Sequence, residues 1–291
     1  MRLDERQRDR IGAIALVLFA LLAVLAIETP AQDLSTLAET LRSGNTEQKR
    51  TALMQIRGLR SEEASRIAVA ALKDDAPIVR ATATASVTFL PKTEASAALL
   101  PLLRDKDEFV RGEAAFALGV VGDPSSASQL LNSLSRDKSP EVRAAAAVAL
   151  GKVGDPAAIP ILVDLLKRSP TEDTELLRRA AARSIGQVAQ IMRSGKVRVV
   201  TPQNFLPEKY KDIGPKPSAD LLEHFGTAVE TLIRVLDDPK ETDDTRREAA
   251  FSLGAIGDQR TIGVLTKYIS SPDPYLAEIC KESLLKLKAA E

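Results

Sequence analysis

The chain has 291 residues, and 40 lysines and arginines are matched by 40 aspartates and glutamates, so no net field favours nucleic acid or any strongly charged partner. A single cysteine, Cys280, excludes an internal disulfide, and a single histidine, His224, leaves little room for a metal site or a resident cofactor. Tryptophan is absent and aromatics make up 3%, which suits helices packed through Ala, Leu and Val.

In chain order, Met1 to Arg10 carries Arg2, Arg6, Arg8 and Arg10 against Asp4, Glu5 and Asp9. Ile11 to Ile27 is an unbroken run of apolar residues and glycine. As a helix it would span roughly 25 Å, a little short of a hydrocarbon core about 30 Å thick. It is long for the apolar core of a signal peptide, about 7–15 residues. Residues 1–32 are therefore expected to form a hydrophobic N-terminal helix with its apolar core at 11–27, acting as a signal anchor or, alternatively, as a signal peptide cleaved after Ala26 or Ala31. Four arginines before the run place the amino end in the cytoplasm. The expected location is the cell membrane, single-pass with the C-terminal domain exported; cleavage would make it secreted or periplasmic.

From Asp33 the pattern is helical almost throughout. Leu34, Leu37 and Leu41 share a helix face, and Gly44 follows as a stop. Val110 to Pro124, VRGEAAFALGVVGDP, is repeated in large part at Val142 to Pro156, VRAAAAVALGKVGDP. Eight residues after Arg111, Arg143, Arg178 and Arg246 stand Gly119, Gly151, Gly186 and Gly254, and Arg50 keeps the same spacing to Gly58. Arg80 and Ala277 mark weaker copies without the glycine. A fixed period of this kind identifies stacked units that cannot bury their apolar faces alone. Seven helix pairs are expected between about 33 and 289, in one domain at 33–291 with an irregular insertion at about 191–218.

The repeat is readable residue by residue. In Gly122-Asp123-Pro124 and Gly154-Asp155-Pro156, glycine takes the left-handed conformation that ends one helix. Aspartate then caps the free N–H groups of the next, and proline occupies its first turn. Ala114, Ala115 and Leu118, like Ala146, Ala147 and Leu150, lie on one face, where small residues let neighbouring helices approach. The repeated arginines are expected to bond acids or carbonyls between units, near Asp105 and Asp137.

The phrase VRxxAAxALGxxGDP resembles the HEAT-like repeat of the phycobilisome-lyase type, as a pattern over about 33–289. The resemblance implies an all-α, right-handed α-solenoid in which the second helix of each pair lines a concave face used to bind other proteins. It implies no reaction. HEAT-type deoxyhypusine hydroxylases hold iron with several His-Glu pairs, whereas this chain has only Glu223-His224, in reversed order. No Gly-rich phosphate loop, nucleophile elbow or ligand cluster is present, so the chain is read as no enzyme, with no metal and no cofactor.

Two surfaces are candidates for a protein or peptide partner. The first is the insertion, with six basic residues between Arg193 and Pro217 and two aromatics among them; Arg198, Phe205, Lys209, Tyr210 and Lys211 are its candidate contacts, and pinning of the aromatics onto the chain itself is the alternative. The second is the helix face opposite the alanines, at two, five and nine residues after each repeated arginine. There Phe116, Val148 and Phe251 are candidates for an apolar groove, unless neighbouring units cover them. The function expected is a non-catalytic interaction scaffold displayed outside the cytoplasm. The alternatives are a tetrapyrrole (bilin) lyase-like accessory protein and a membrane-surface sensor using the basic insertion.

Overall fold

The computed structural model describes residues 30–196 and 218–288. The described residues form fourteen α-helices and no strand, and they fall into seven consecutive pairs. The pairs are α1 (Pro30–Ser43) with α2 (Thr46–Leu59), α3 (Glu62–Ala68) with α4 (Pro77–Ser86), α5 (Lys92–Leu99) with α6 (Glu108–Val121), and α7 (Ala127–Arg136) with α8 (Pro140–Val153). They continue as α9 (Ile159–Lys167) with α10 (Glu175–Ser194), α11 (Ala219–Asp237) with α12 (Asp243–Ile256), and α13 (Ile262–Lys267) with α14 (Pro274–Lys288). Each second helix packs against the second helices before and after it, so the pairs stack in chain order around one continuous apolar core.

The expected punctuation is present. Gly122 and Gly154 have φ of +63° and +80°, and their N–H groups bond the carbonyls of Leu118 and Leu150. Asp123 and Asp155 then accept from Ser125 and Ala157 N–H at 3.0 and 2.9 Å. A short 3-10 turn, Pro124–Ser126 or Pro156–Ala158, follows each cap before the α-helix begins. The second helices start from polar caps as well: Asp107 on α6, Ser139 on α8 and Thr242 on α12 accept from first-turn N–H groups.

Close approach between units depends on small residues. A Cβ on Gly119 would lie 2.7 Å from Ala149 Cα, one on Gly151 2.8 Å from Ser184 Cβ, and one on Gly186 or Gly254 2.8 Å from the Cα of Ser252 or Ser283. Several of these small residues are also polar, and they bond backward: Ser86, Ser252 and Ser283 Oγ donate to the carbonyls of Leu53, Ala182 and Ala250 at 2.9, 2.6 and 3.0 Å.

An arginine–carboxylate bridge joins most successive units. Arg80 Nε and Nη2 donate to Asp105 at 2.8 and 2.7 Å, and Arg111 Nε and Nη2 to Asp137 at 2.8 and 2.9 Å. Each acid sits in the loop before the next second helix, where its other bond is accepted from a backbone N–H, that of Asp107 or Ser139. Arg178 bonds Glu241 in the same way across the insertion, and it also donates to Leu165 O at 3.0 Å. Arg143 is the exception, donating to Leu134 O within its own unit.

At both ends the register differs from the sequence alignment. In the first unit Lys49, not Arg50, bridges to Asp74 at 2.7 Å, and Gly58 meets nothing within 4 Å. In the sixth, Arg247 makes the bidentate bridge to Asp273 at 2.8 and 3.0 Å, while Arg246 bonds Leu236 O. The insertion is also shorter at its start than expected, because α10 continues helical to Ser194 and ends on Gly195, with φ of +70°.

Among the described residues no helix is long and apolar enough to cross a membrane. The two longest, α10 and α11, carry Arg178, Arg179, Arg183 and Arg193, and Glu223, Glu230 and Arg234, which a hydrocarbon core would exclude. That finding overturns the single-pass membrane location expected above. The apolar run at 11–27 that suggested it lies outside the described residues.

Two outcomes test this packing. Gly119→Val is expected to destabilise the chain by about 1–3 kcal/mol through overpacking against Ala149, whereas exposed Gly58→Ala is expected to gain about 0.5–1 kcal/mol from helix propensity, both read by thermal or urea unfolding. The second concerns Asp137. Burial pushes its carboxyl up, but the Arg111 guanidinium and the Ser139 N–H outweigh this and hold it below the ordinary carboxylate range. Its contribution is therefore full above about pH 4 and is lost as pH falls through the folded value. Asp137→Asn should cost about 3 kcal/mol at neutral pH, and its deficit relative to the parent should shrink in acid.

Candidate functional site

The face opposite the alanines changes character along the array. In α6 it shows Glu113, Phe116 and Val120, with Phe116 46% and Val120 50% exposed. In α8 Ala145, Val148 and Lys152 are half-buried. By α12 its Phe251 and Ala255 are each 3% exposed. The expectation that Phe251 offers a free apolar group is corrected by this burial: its ring packs against Gly186 of the preceding unit, with the Arg183 guanidinium 5.9 Å from its centroid. Phe116 and Val148 remain on a shared open surface.

That surface is a groove of about 1170 Å³ lined mainly by α6, α8 and α10, with Glu248 of α12 at one side. Phe116, Val120, Val148 and Leu176 supply its apolar lining, and Leu176 is 45% exposed. Lys92, Lys152, Arg179, Arg183 and Lys196 supply cations, against Glu141 and Glu248. A smaller hollow of about 370 Å³ continues from Phe116 towards the helix starts, lined by Phe109, Glu108, Glu113 and Glu141. The groove therefore passes from acidic to basic, with Phe116 shared between the two ends.

The charges differ in how they are held. Arg183 Nη1 donates to Glu248 at 2.7 Å, and Arg179 Nη1 to Asp244 at 2.9 Å. Burial pushes the Glu248 carboxyl above its ordinary value although Arg183 opposes this. Glu113 is likewise pushed up by burial, against the pull of Arg57. Lys152 has no such partner among the described residues. Its ammonium lies 4.4 Å from the Phe116 ring centroid, and burial, with the charge of Arg183 adding to it, pushes its amine below the ordinary lysine range. No carboxylate of the described residues is among the influences on it. In the same groove Gln187 is 4% exposed, and its Oε1 has no hydrogen-bond partner among the described residues.

The other candidates sit apart. Arg198, Phe205, Lys209, Tyr210 and Lys211 lie outside the described residues, although Gly195 and Lys196, just before them, line the groove. Glu223 and His224 are exposed, and among the described residues no group of three His, Cys, Asp or Glu is placed to hold a metal. Cys280 is fully buried and its thiol is pushed up to about 12, which removes it as a cross-linking group. Leu176, Arg179 and Lys152 were not selected from sequence. Lys152 and Arg183 stand at the right helical positions, but nothing local marks them as open or unpaired.

The HEAT repeats family model matches residues 34–119 and 96–186, over half of the chain, and the PBS lyase HEAT-like repeat matches 245–271. The chain belongs to the HEAT-repeat family. No curated protein matches it significantly in sequence. Among solved structures it is similar to the complex of CpcE and CpcF of phycocyanin lyase from Nostoc sp. PCC7120, at 19% identity, 91% of this chain and 97% of that one, with a TM-score of 0.51. An engineered protein aligns at 20% identity over 88% of this chain and 68% of its own, with a TM-score of 0.50. Human deoxyhypusine hydroxylase aligns at 18% identity over 89% and 96%, with a TM-score of 0.38. At these identities the first two likenesses speak for the fold alone.

The unpaired state of Lys152 gives a stability outcome. A lysine whose folded value is lowered destabilises below that value and ceases to do so as pH rises to the unfolded value, about 10.4. Lys152→Met should therefore unfold no earlier than the parent at neutral pH, and any advantage should diminish as pH approaches 10, read by parallel melts.

Proposed function

We propose that the stacked pairs form a right-handed α-solenoid that serves as a non-catalytic protein-interaction scaffold, with the groove across α6, α8 and α10 as its contact surface. The observation that carries this reading is one open groove shared by second helices of three consecutive units, with Phe116, Val120 and Leu176 each about half exposed. Large apolar side chains exposed together in a concave surface mark an interaction site more often than scattered ones do. Stacking turns the same structural position of successive units into a continuous strip, which is how a repeat array binds an extended ligand.

The basic segment after Lys196, with Arg198, Phe205, Lys209, Tyr210 and Lys211, is a second proposed contact element, because Lys196, which precedes it in the chain, lines the groove. The array from 33 to 291 is accordingly proposed to act as one interaction domain. The likeness to phycocyanin lyase supports the shared fold and gives the bilin reading no residue of its own.

Affinity capture from cell extract with the full chain should retain partners that are lost with Phe116→Glu/Val120→Glu. Both positions are exposed, so the melt should be unchanged. Capture that is identical for the parent, for this variant and for a chain lacking 199–215 would remove the proposal.

A further inference from the structure

Resting on the scaffold reading, we infer that the groove receives an acidic peptide segment of a partner protein, with carboxylates over Lys152 and Arg183 and an adjacent bulky apolar side chain on Phe116 and Val120. Three observations converge on this occupant. The first is charge: five cations line the groove against two acids, and with Arg183 and Arg179 already bonded to Glu248 and Asp244 at 2.7 and 2.9 Å, Lys92, Lys152 and Lys196 remain against Glu141.

The second is that Lys152 has no carboxylate partner among the described residues. An ammonium half removed from water costs free energy unless a carboxylate or another acceptor replaces its hydration. The ring of Phe116, 4.4 Å away, offsets part of that cost, but no carboxylate of the described residues pairs with it. A carboxylate arriving from a partner would find this cation desolvated in advance, which is where a charge-assisted hydrogen bond contributes most.

The third is the arrangement of apolar and charged groups. Phe116 lies between the basic part of the groove and the acidic hollow formed with Glu108, Glu113 and Glu141. An apolar anchor there puts acidic neighbours of the peptide on the Lys152 side and excludes them from the other. The groove thus sets a direction for the segment as well as a charge. A basic or neutral peptide would leave Lys152 unpaired and buried further, so the same geometry discriminates against it.

Selection of a displayed library of random short peptides on the full-length chain tests this directly. The expected result is enrichment of Asp or Glu beside Phe, Leu, Trp or Tyr, with binding that weakens at high salt. A representative enriched peptide should bind roughly tenfold more weakly to Lys152→Met, while the melt of that variant is not lowered. Lys152→Glu should shift the enrichment towards Lys and Arg. Enriched peptides without an acidic bias, or an acidic bias that survives Lys152→Glu unchanged, would overturn the inference. Light scattering covers a remaining occupant: self-association that Lys152→Met or Phe116→Glu abolishes would assign the groove to a second copy of the chain instead. Loss of the acidic preference with groove-dependent capture intact sinks only this inference, whereas loss of groove-dependent capture sinks the scaffold reading beneath it.

Discussion

The bridge between a basic side chain of one unit and an acid in the loop of the next is the interaction on which the array depends. In a stacked array each unit touches only its neighbours, so every junction must be specified locally. The acids of the Arg80–Asp105 and Arg111–Asp137 pairs do this by holding two partners at once. One is the arginine behind, which donates twice, and the other is an N–H of their own loop, which fixes where the next helix begins. An ion pair this far from water contributes only when its remaining lone pairs and protons are satisfied. Here they are, since Arg80 and Arg111 also bond the carbonyls of Asp74 and Asp105.

The junction between α8 and α10 is built differently. Arg143 turns back to Leu134 O, and the contact rests on Gly151 lying against Ser184 and Gln187. The groove crosses this junction as well as the one between α6 and α8, and Lys152 follows Gly151 in sequence. The candidate site thus opens over a junction held by close packing rather than by a bridge, and Arg143 itself does not line it.

Much of the architecture was legible because its determinants are local. Caps, glycine stops and the period of the alanine face can be read from single stretches, and the pairs follow from them. The register at the two ends was not. Arg50 and Arg246 satisfy the eight-residue spacing to glycine, yet Lys49 and Arg247 make the bridges, because the choice between adjacent basic residues is made by Asp74 and Asp273, about 25 residues away in sequence. Exposure was legible only in part for the same reason. The helical wheel puts Phe116 and Phe251 at equivalent positions, but Phe251 is covered by the Gly186 backbone and the Arg183 side chain, both from the preceding unit. The unpaired state of Lys152 likewise depends on Phe116 and Arg183, each about one unit away.

The charge gradient of the groove has two causes, and only one of them is ordinary helix chemistry. Acids in the first turn of a helix are favoured by its dipole and its free N–H groups, which accounts for Glu108 on α6 and Glu141 on α8. Lys152 in the last turn of α8 fits the same rule. Arg179 and Arg183 lie outside that rule, since both stand beyond the first turn of α10, where the dipole has little hold on a charge. Asp244 and Glu248 of the next unit hold them there, at 2.9 and 2.7 Å. A pair of arginines beyond the reach of the helix ends and steadied from the neighbouring unit turns the basic side of the groove from a consequence of helix ends into a property of the stacked surface.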